Sequence, residues 1–260
     1  MTEKTYSLST GAVYRYSANA RERLDHTLAI VESKKLIEEF GPLGIELMLV
    51  YAGPDEMIKL LEDNLGLRKR IDAIHDMGGI MTIHADRPLL TLDHPSRIPD
   101  DTLNDLARLT KLVHAQYIVW HAGWGMLNEV VGNGLPIALE NEDPKSGGAK
   151  SARELSEIMS RHPEAKFVID LAHLHAQPNT SPAKELKEIH AHLGSKVVGY
   201  HLSALRYGHE HITLVEAGEN APTKLHSLLP RNSHCVIEST IPGRNPVTEM
   251  YKELLIIENA

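Results

Sequence analysis

Short apolar runs recur along the whole chain and alternate with longer amphipathic stretches. The runs are TYSLS (5–9), GIELMLV (44–50), GIMTIHA (79–85), YIVWHA (117–122), PIALEN (136–141), FVIDL (167–171), VVGYHL (197–202) and CVIES (235–239). Each is of strand length, and unbroken apolarity means burial on both faces, as in a parallel sheet covered by helices. Between them, residues 20–40, 56–77, 102–115, 151–162 and 181–194 carry apolar positions at three- and four-residue spacing, the period of a helix. Ser151 and Ser181 each stand before such a stretch with a glutamate three or four residues on, as helix N-caps do. The segments after 121 and 201 are less clearly helical.

Eight strand-like runs joined by helices in 260 residues match a (β/α)8 barrel. An open doubly wound sheet shares the same periodicity, so closure is a matter for the structure. No linker, low-complexity tract or composition shift interrupts the pattern, and the expectation is one α/β domain, a TIM barrel over residues 1–260. GGAKS (147–151) lacks the spacing of a phosphate-binding loop.

The ends of the later runs change the picture from fold to chemistry. They deliver His84, His121, Glu140, Asp170 with His173 just beyond, His201 and Glu238. In a barrel the C-terminal strand ends converge on one mouth, where active sites form. Carboxylates and imidazoles gathered there would repel or shift one another unless a cation joined them. Imidazole with carboxylate and no thiolate suits Zn²⁺, Mn²⁺ or Fe²⁺. The loop after the seventh run adds His209 and His211 in GHEHI, and nine such groups can hold two or three ions with carboxylates bridging.

Composition narrows the setting. The formal charge of −8 argues against a protein that holds nucleic acid by bulk electrostatics. The single cysteine, Cys235, excludes a disulfide framework and a cysteine-based zinc site, and a reducing, cytoplasmic setting is expected. The N-terminal MTEKTYSLSTGAVYRYS has no apolar core of signal-peptide length, and no stretch approaches a membrane span. The sixteen histidines are many for this length. Of those not at strand ends, His26, His75, His114, His162, His190 and His192 fall in helical patterns. His226 and His234 flank the eighth run on the side away from the mouth, and His94 and His175 stay unassigned.

Taken together these residues resemble the endonuclease IV family, within the wider xylose-isomerase-like barrels. The family's ENT is matched by Glu140-Asn141-Glu142, its DTCH by Asp170-Leu171-Ala172-His173, its HLND by His201-Leu202-Ser203-Ala204 and its ILET by Val236-Ile237-Glu238-Ser239. HPGS is matched by His121-Ala122-Gly123-Trp124, HEHIGEG by His209-Glu210-His211-Ile212 with a looser continuation, and the third strand segment by residues 83–95. The resemblance implies a trinuclear zinc site. His84, His121 and Glu140 would hold one ion; Glu140, Asp170, His201 and Glu238 the second; His173 and His209 the third. Tyr207 stands where the family has an aspartate ligand two residues before His209, and His211 can take its place.

Two activities follow from the resemblance. One is DNA repair chemistry, hydrolysis of a phosphodiester at abasic sites, with Glu140 orienting or deprotonating the attacking water. Arg87, Arg206 and Arg244 on mouth loops would meet phosphates. The other is that of a sugar or sugar-phosphate isomerase or epimerase. It would use a single ion such as Mn²⁺ on Glu140, Asp170, His201 and Glu238, with Glu140 and Glu238 as the acid/base pair.

Overall fold

A computed structural model describes residues 4–49, 52–85, 98–121, 127–142, 151–178, 181–207 and 210–260. The eight runs form the strands β1 (Thr5–Ser9), β2 (Leu43–Met48), β3 (Met81–His84), β4 (Ile118–His121), β5 (Ile137–Glu140), β6 (Lys166–Asp170), β7 (Val197–Leu202) and, after a small antiparallel hairpin of β8 (Ala204–Arg206) and β9 (Glu210–Ile212), β10 (His234–Ile237). All eight pair in parallel and close in the order β1-β10-β7-β6-β5-β4-β3-β2. The sheet is therefore a closed (β/α)8 barrel and not an open one.

The helices are α1 (Ala20–Val31), α2 (Lys34–Phe40), α3 (Pro54–Asp63), α4 (Leu65–Asp76), α5 (Asp100–Leu112), α6 (Leu127–Gly132), α7 (Ala152–Arg161), α8 (Leu171–Ala176), α9 (Pro182–Leu193), α10 (Leu214–Ala217), α11 (Thr223–His226) and α12 (Pro246–Glu258). Ser151 starts α7 with a full capping box, its hydroxyl accepting from Glu154 N–H while the Glu154 carboxylate accepts from Ser151 N–H. Ser181 occupies the N-cap of α9 without a side-chain bond, and Pro182 supplies the first helical φ instead. Two stretches of continuous helical periodicity are each broken into two helices. Ser33 turns extended at ψ 118° between α1 and α2. Asn64 ends α3 by donating from its side chain to Leu60 O at 2.8 Å. Among the described residues no helix is long and apolar enough to cross a membrane.

Alternation along the strands sorts the barrel into two environments. Ile118, Trp120, Ile137, Leu139, Phe167 and Ile169 belong to the large apolar cluster shared with the helices. Their neighbours Val119, Ala138 and Val168 form a second small cluster with Tyr117, inside the barrel. Small residues make that interior possible. A Cβ on Gly44 would lie 1.8 Å from the Ile80 carbonyl oxygen, and one on Gly199 would lie 2.3 Å from the Tyr117 hydroxyl. The N-terminal end of the barrel is sealed by a satisfied polar chain. Tyr117 donates to His234 Nδ1 at 2.7 Å, His234 Nε2 donates to Ser7 Oγ at 2.8 Å, and Ser7 donates to Ile80 O at 2.9 Å. Burial and the neighbouring His201 charge push the His234 imidazole down to about 3, so it is neutral, as this bonding requires.

The last helix carries a buried acid. Glu253 on α12 is wholly buried and accepts from Leu214 N–H at 3.0 Å, holding the start of α10. Burial pushes its carboxyl up to about 7, with Glu249 adding to the rise. The folded state thus resists ionisation that the unfolded chain completes near pH 4.5. The resulting loss of stability is absent in acid, grows from about pH 4.5 to 7, and is complete above that. Glu253→Gln is expected to match the wild type at pH 4 and to exceed it by roughly 1–3 kcal/mol at pH 8, by denaturant unfolding. A difference between the two proteins that stays constant with pH would show that ionisation of Glu253 is not its source.

Candidate metal centre

Register brings the strand-end residues into one ring. His121 pairs across from Glu140, Asp170 from His201, and Val236 from His201, all on interior positions at the C-terminal end of the barrel. Of the nine sequence-derived candidates, His84, His121, Glu140, Asp170, His173, His201, His211 and Glu238 converge there. They form overlapping groups able to hold a metal ion: His84–His121–Glu140, His84–His201–Glu238, Glu140–Asp170–His201–Glu238 and Asp170–His173–His211. His209 and Arg87 lie outside the described residues.

Glu140 is the hub. It is 1% exposed, and its two carboxylate oxygens face different partners. Oε2 lies 3.2 Å from both His84 Nε2 and His121 Nε2, while Oε1 lies 2.7 Å from His201 Nδ1. Glu238 Oε1 also approaches His201 Nδ1, at 3.3 Å. Asp170 explains why its apolar strand ends in an acid. Oδ1 caps α8 by accepting from His173 N–H at 2.7 Å, and Oδ2 is buried without a hydrogen-bond partner among the described residues.

Several imidazoles are held by outer partners, and at His121 and His201 this leaves the other nitrogen directed at Glu140. His173 donates from Nδ1 to Asn141 O at 2.9 Å. His121 Nδ1 lies 3.5 Å from Glu142, and His201 Nε2 lies 3.2 Å from Glu46. His211 Nδ1 meets Ser203 Oγ at 2.8 Å. Asn141 ties β5 to β6 by a reciprocal pair, donating to Asp170 O at 3.0 Å and accepting from Asp170 N–H at 2.8 Å. Such outer bonds fix the tautomer and ring orientation of a ligating histidine. Glu46, Asn141, Glu142 and Ser203 are additions that the strand-end pattern does not point to. Glu46 leaves one trace in the sequence, a lone acid inside the apolar run GIELMLV.

The electrostatics fit a cation. Burial pulls the His84 imidazole down, but Glu140, Glu46 and Glu238 outweigh it and push it up to about 10. Burial is likewise outweighed at His201, which Glu238, Glu46 and Glu140 hold well above its ordinary value, and at His173, raised by Asp170 and Glu140. Burial would raise Glu238, yet His201 and His211 bring it down to about 2. Asp170 goes up, because its burial exceeds the pull of His173 and His211. Without a metal, the imidazoles carry the protons that balance the acids. An ion would replace those protons, and the orphaned Asp170 Oδ2 and the donor set of imidazole and carboxylate suit zinc or manganese.

The rim is less basic than its arginines suggest. Arg206, on β8, donates to both oxygens of Glu210 and to Glu216 Oε1 at 2.6 Å. Arg15 also pairs with Glu210. Arg244 is exposed on the segment between β10 and α12.

No protein-family model matches the sequence, and no curated protein does. Solved structures match over nearly the whole chain. Endonuclease IV from Thermus thermophilus is 17% identical with a TM-score of 0.62, covering 99% of each chain. The probable 3-DHS dehydratase AsbF from Bacillus anthracis is 14% identical with a TM-score of 0.63, covering 96% of this chain and 98% of that one. D-allulose 3-epimerase from Methylomonas sp. is 13% identical with a TM-score of 0.55, covering 98% and 90%. These proteins are named for enzymes of different reaction types, and the likeness to them carries the fold alone.

Proposed function

We propose that this chain is a metal-dependent phosphodiesterase resembling endonuclease IV, with two or three zinc ions and abasic DNA as its substrate. The observation that carries this reading is the division of Glu140, one oxygen facing His84 and His121 and the other facing His201. A carboxylate so divided could serve two cations, and a one-ion site does not need the outer histidine pair as ligands. His84, His121 and Glu140 would hold one ion; Glu140, Asp170, His201 and Glu238 a second; Asp170, His173 and His211, with His209 a further donor, a third.

Bound together, such ions lower the pKa of coordinated water and offset charge on phosphoryl oxygens. Glu140 would orient the attacking water, and Glu238 beside it would take the proton. His84, His121 and His201 donate no proton in this reading; they orient. Arg244 offers a phosphate contact from the rim, and Arg206 offers one after leaving Glu210 and Glu216.

A second reading is favoured by a specific observation. The rim arginines Arg15 and Arg206 are already matched by glutamates, which suits a small substrate better than a polyanion. Glu140 and Glu238 flank His201 Nδ1 and would exchange a proton on the two faces of a sugar enediolate, over one Mn²⁺ or similar ion.

Metal content of protein purified without chelators or a histidine tag separates the two. Two or three zinc ions per chain, with one fewer in His121→Ala, together with cleavage of abasic-site DNA, is the expected result. A single ion per chain, unchanged in His121→Ala, together with ketose epimerisation, would replace the nuclease with the isomerase.

A further inference from the structure

Glu46 lies two residues before the end of β2 and is 0% exposed, below the ring of candidate ligands. Its Oε2 is 3.2 Å from His201 Nε2 and accepts from the Thr82 hydroxyl, also at 3.2 Å. Its Oε1 has no hydrogen-bond partner among the described residues. A buried carboxylate is costly unless it is matched. Thr82 is itself buried on β3 and supplies a single donor, and His201 is the other group that faces this oxygen. An ionised carboxylate only accepts, and the Thr82 proton is already directed to it. At 3.2 Å from that oxygen, His201 Nε2 is placed to donate to it. That leaves Nδ1 as the nitrogen presented to Glu140 at 2.7 Å and Glu238 at 3.3 Å.

Resting on the metal reading above, we infer that Glu46 is a positioning residue for the central ion: it fixes the tautomer and ring orientation of His201 and strengthens Nδ1 as a donor. The three side chains form a connected line, Thr82 beside Glu46 on the neighbouring strand and His201 beyond it, inside the barrel. The arrangement selects among the ions. Glu46 touches His201 but acts on His84 only through space, as one of three acids that raise it, so the ion at His201 is expected to lose more than the ion at His84 and His121.

Two readouts test this in zinc-loaded protein: stepwise zinc affinity by chelator competition, and the protonated nitrogen of His201 by long-range ¹H–¹⁵N correlation. Glu46→Leu is expected to weaken one ion by about 10–100-fold, to leave the ion at His84 and His121 within about threefold, and to give His201 in mixed tautomers. Glu46→Gln keeps an accepting oxygen and nearly the same volume, so it remains informative if the leucine variant does not fold. It is expected to weaken the same ion by about 3–10-fold with His201 still protonated on Nε2. Affinity within about twofold of wild type in Glu46→Gln, or an equal loss at every ion in either variant, would overturn the positioning role. Wild-type protein that takes up no zinc overturns the metal reading itself, and this inference falls with it.

Discussion

Glu140→Gln is expected to lower turnover by roughly 10³-fold or more and to remove at least one metal ion per chain. The amide has one oxygen, and its NH₂ group cannot ligate. It therefore cannot serve His84 and His121 on one side and His201 on the other, as the carboxylate does at 3.2 and 2.7 Å. The substitution is nearly isosteric, so the barrel is expected to remain folded, and circular dichroism checks this. In the metal-free protein the same change removes the first of the acids that hold His84 up at about 10, and its pKa is expected to fall. Metal content by plasma emission and turnover on the identified substrate are the deciding measurements. Wild-type metal content with turnover within about threefold would show that Glu140 is not shared between ions.

Chelation of the loaded protein is expected to lower its melting temperature by roughly 10 °C at pH 8, reversibly on adding zinc. An ion present at a thousandfold excess over its dissociation constant contributes about 4 kcal/mol, and for a chain of this size each kcal/mol moves Tm by about 2–4 °C. The physical source is the mouth, where Glu46, Glu140, Glu142, Asp170 and Glu238 are all buried. In the metal-free chain their charge is balanced by protons on His84, His173 and His201. Metal and protons compete for those nitrogens, so the difference in Tm is expected to shrink as pH falls from 8 to 6. Scanning calorimetry of loaded and stripped protein at both pH values makes the test. A change of less than about 2 °C on stripping at pH 8 would remove the metal centre from the stability of the fold.

Much of this was legible along the chain. Each barrel strand overlaps an apolar run, because a strand buried on its outer face and filled with small residues inside leaves few polar positions. The strand-end residues His84, His121, Glu140, Asp170, His201 and Glu238 stand out for the same reason, as polar breaks in apolar runs. Glu46 breaks its run as clearly, but in mid-strand, where only the interior layers of a closed barrel give it a partner. The division of residues 20–40 and 56–77 into paired helices leaves the apolar period intact and changes only the backbone at Ser33 and Asn64. Arg206 reads as a cation on a mouth loop. Its partners Glu210 and Glu216 come from the opposite strand of the hairpin and from α10.

By itself the sequence determined the number of barrel strands, their order along the chain, and which chemical group ends each of the last six. Those are local properties, set by periodicity and by the residue that interrupts it. Only the tertiary structure decided that the sheet closes, that Glu140 gives one oxygen to each of two histidine sets, and that Glu46 lies beneath His201, 155 residues away in sequence. Such contacts depend on parallel register between distant strands. A single-residue slip would turn every one of these side chains from the barrel interior to its helical face.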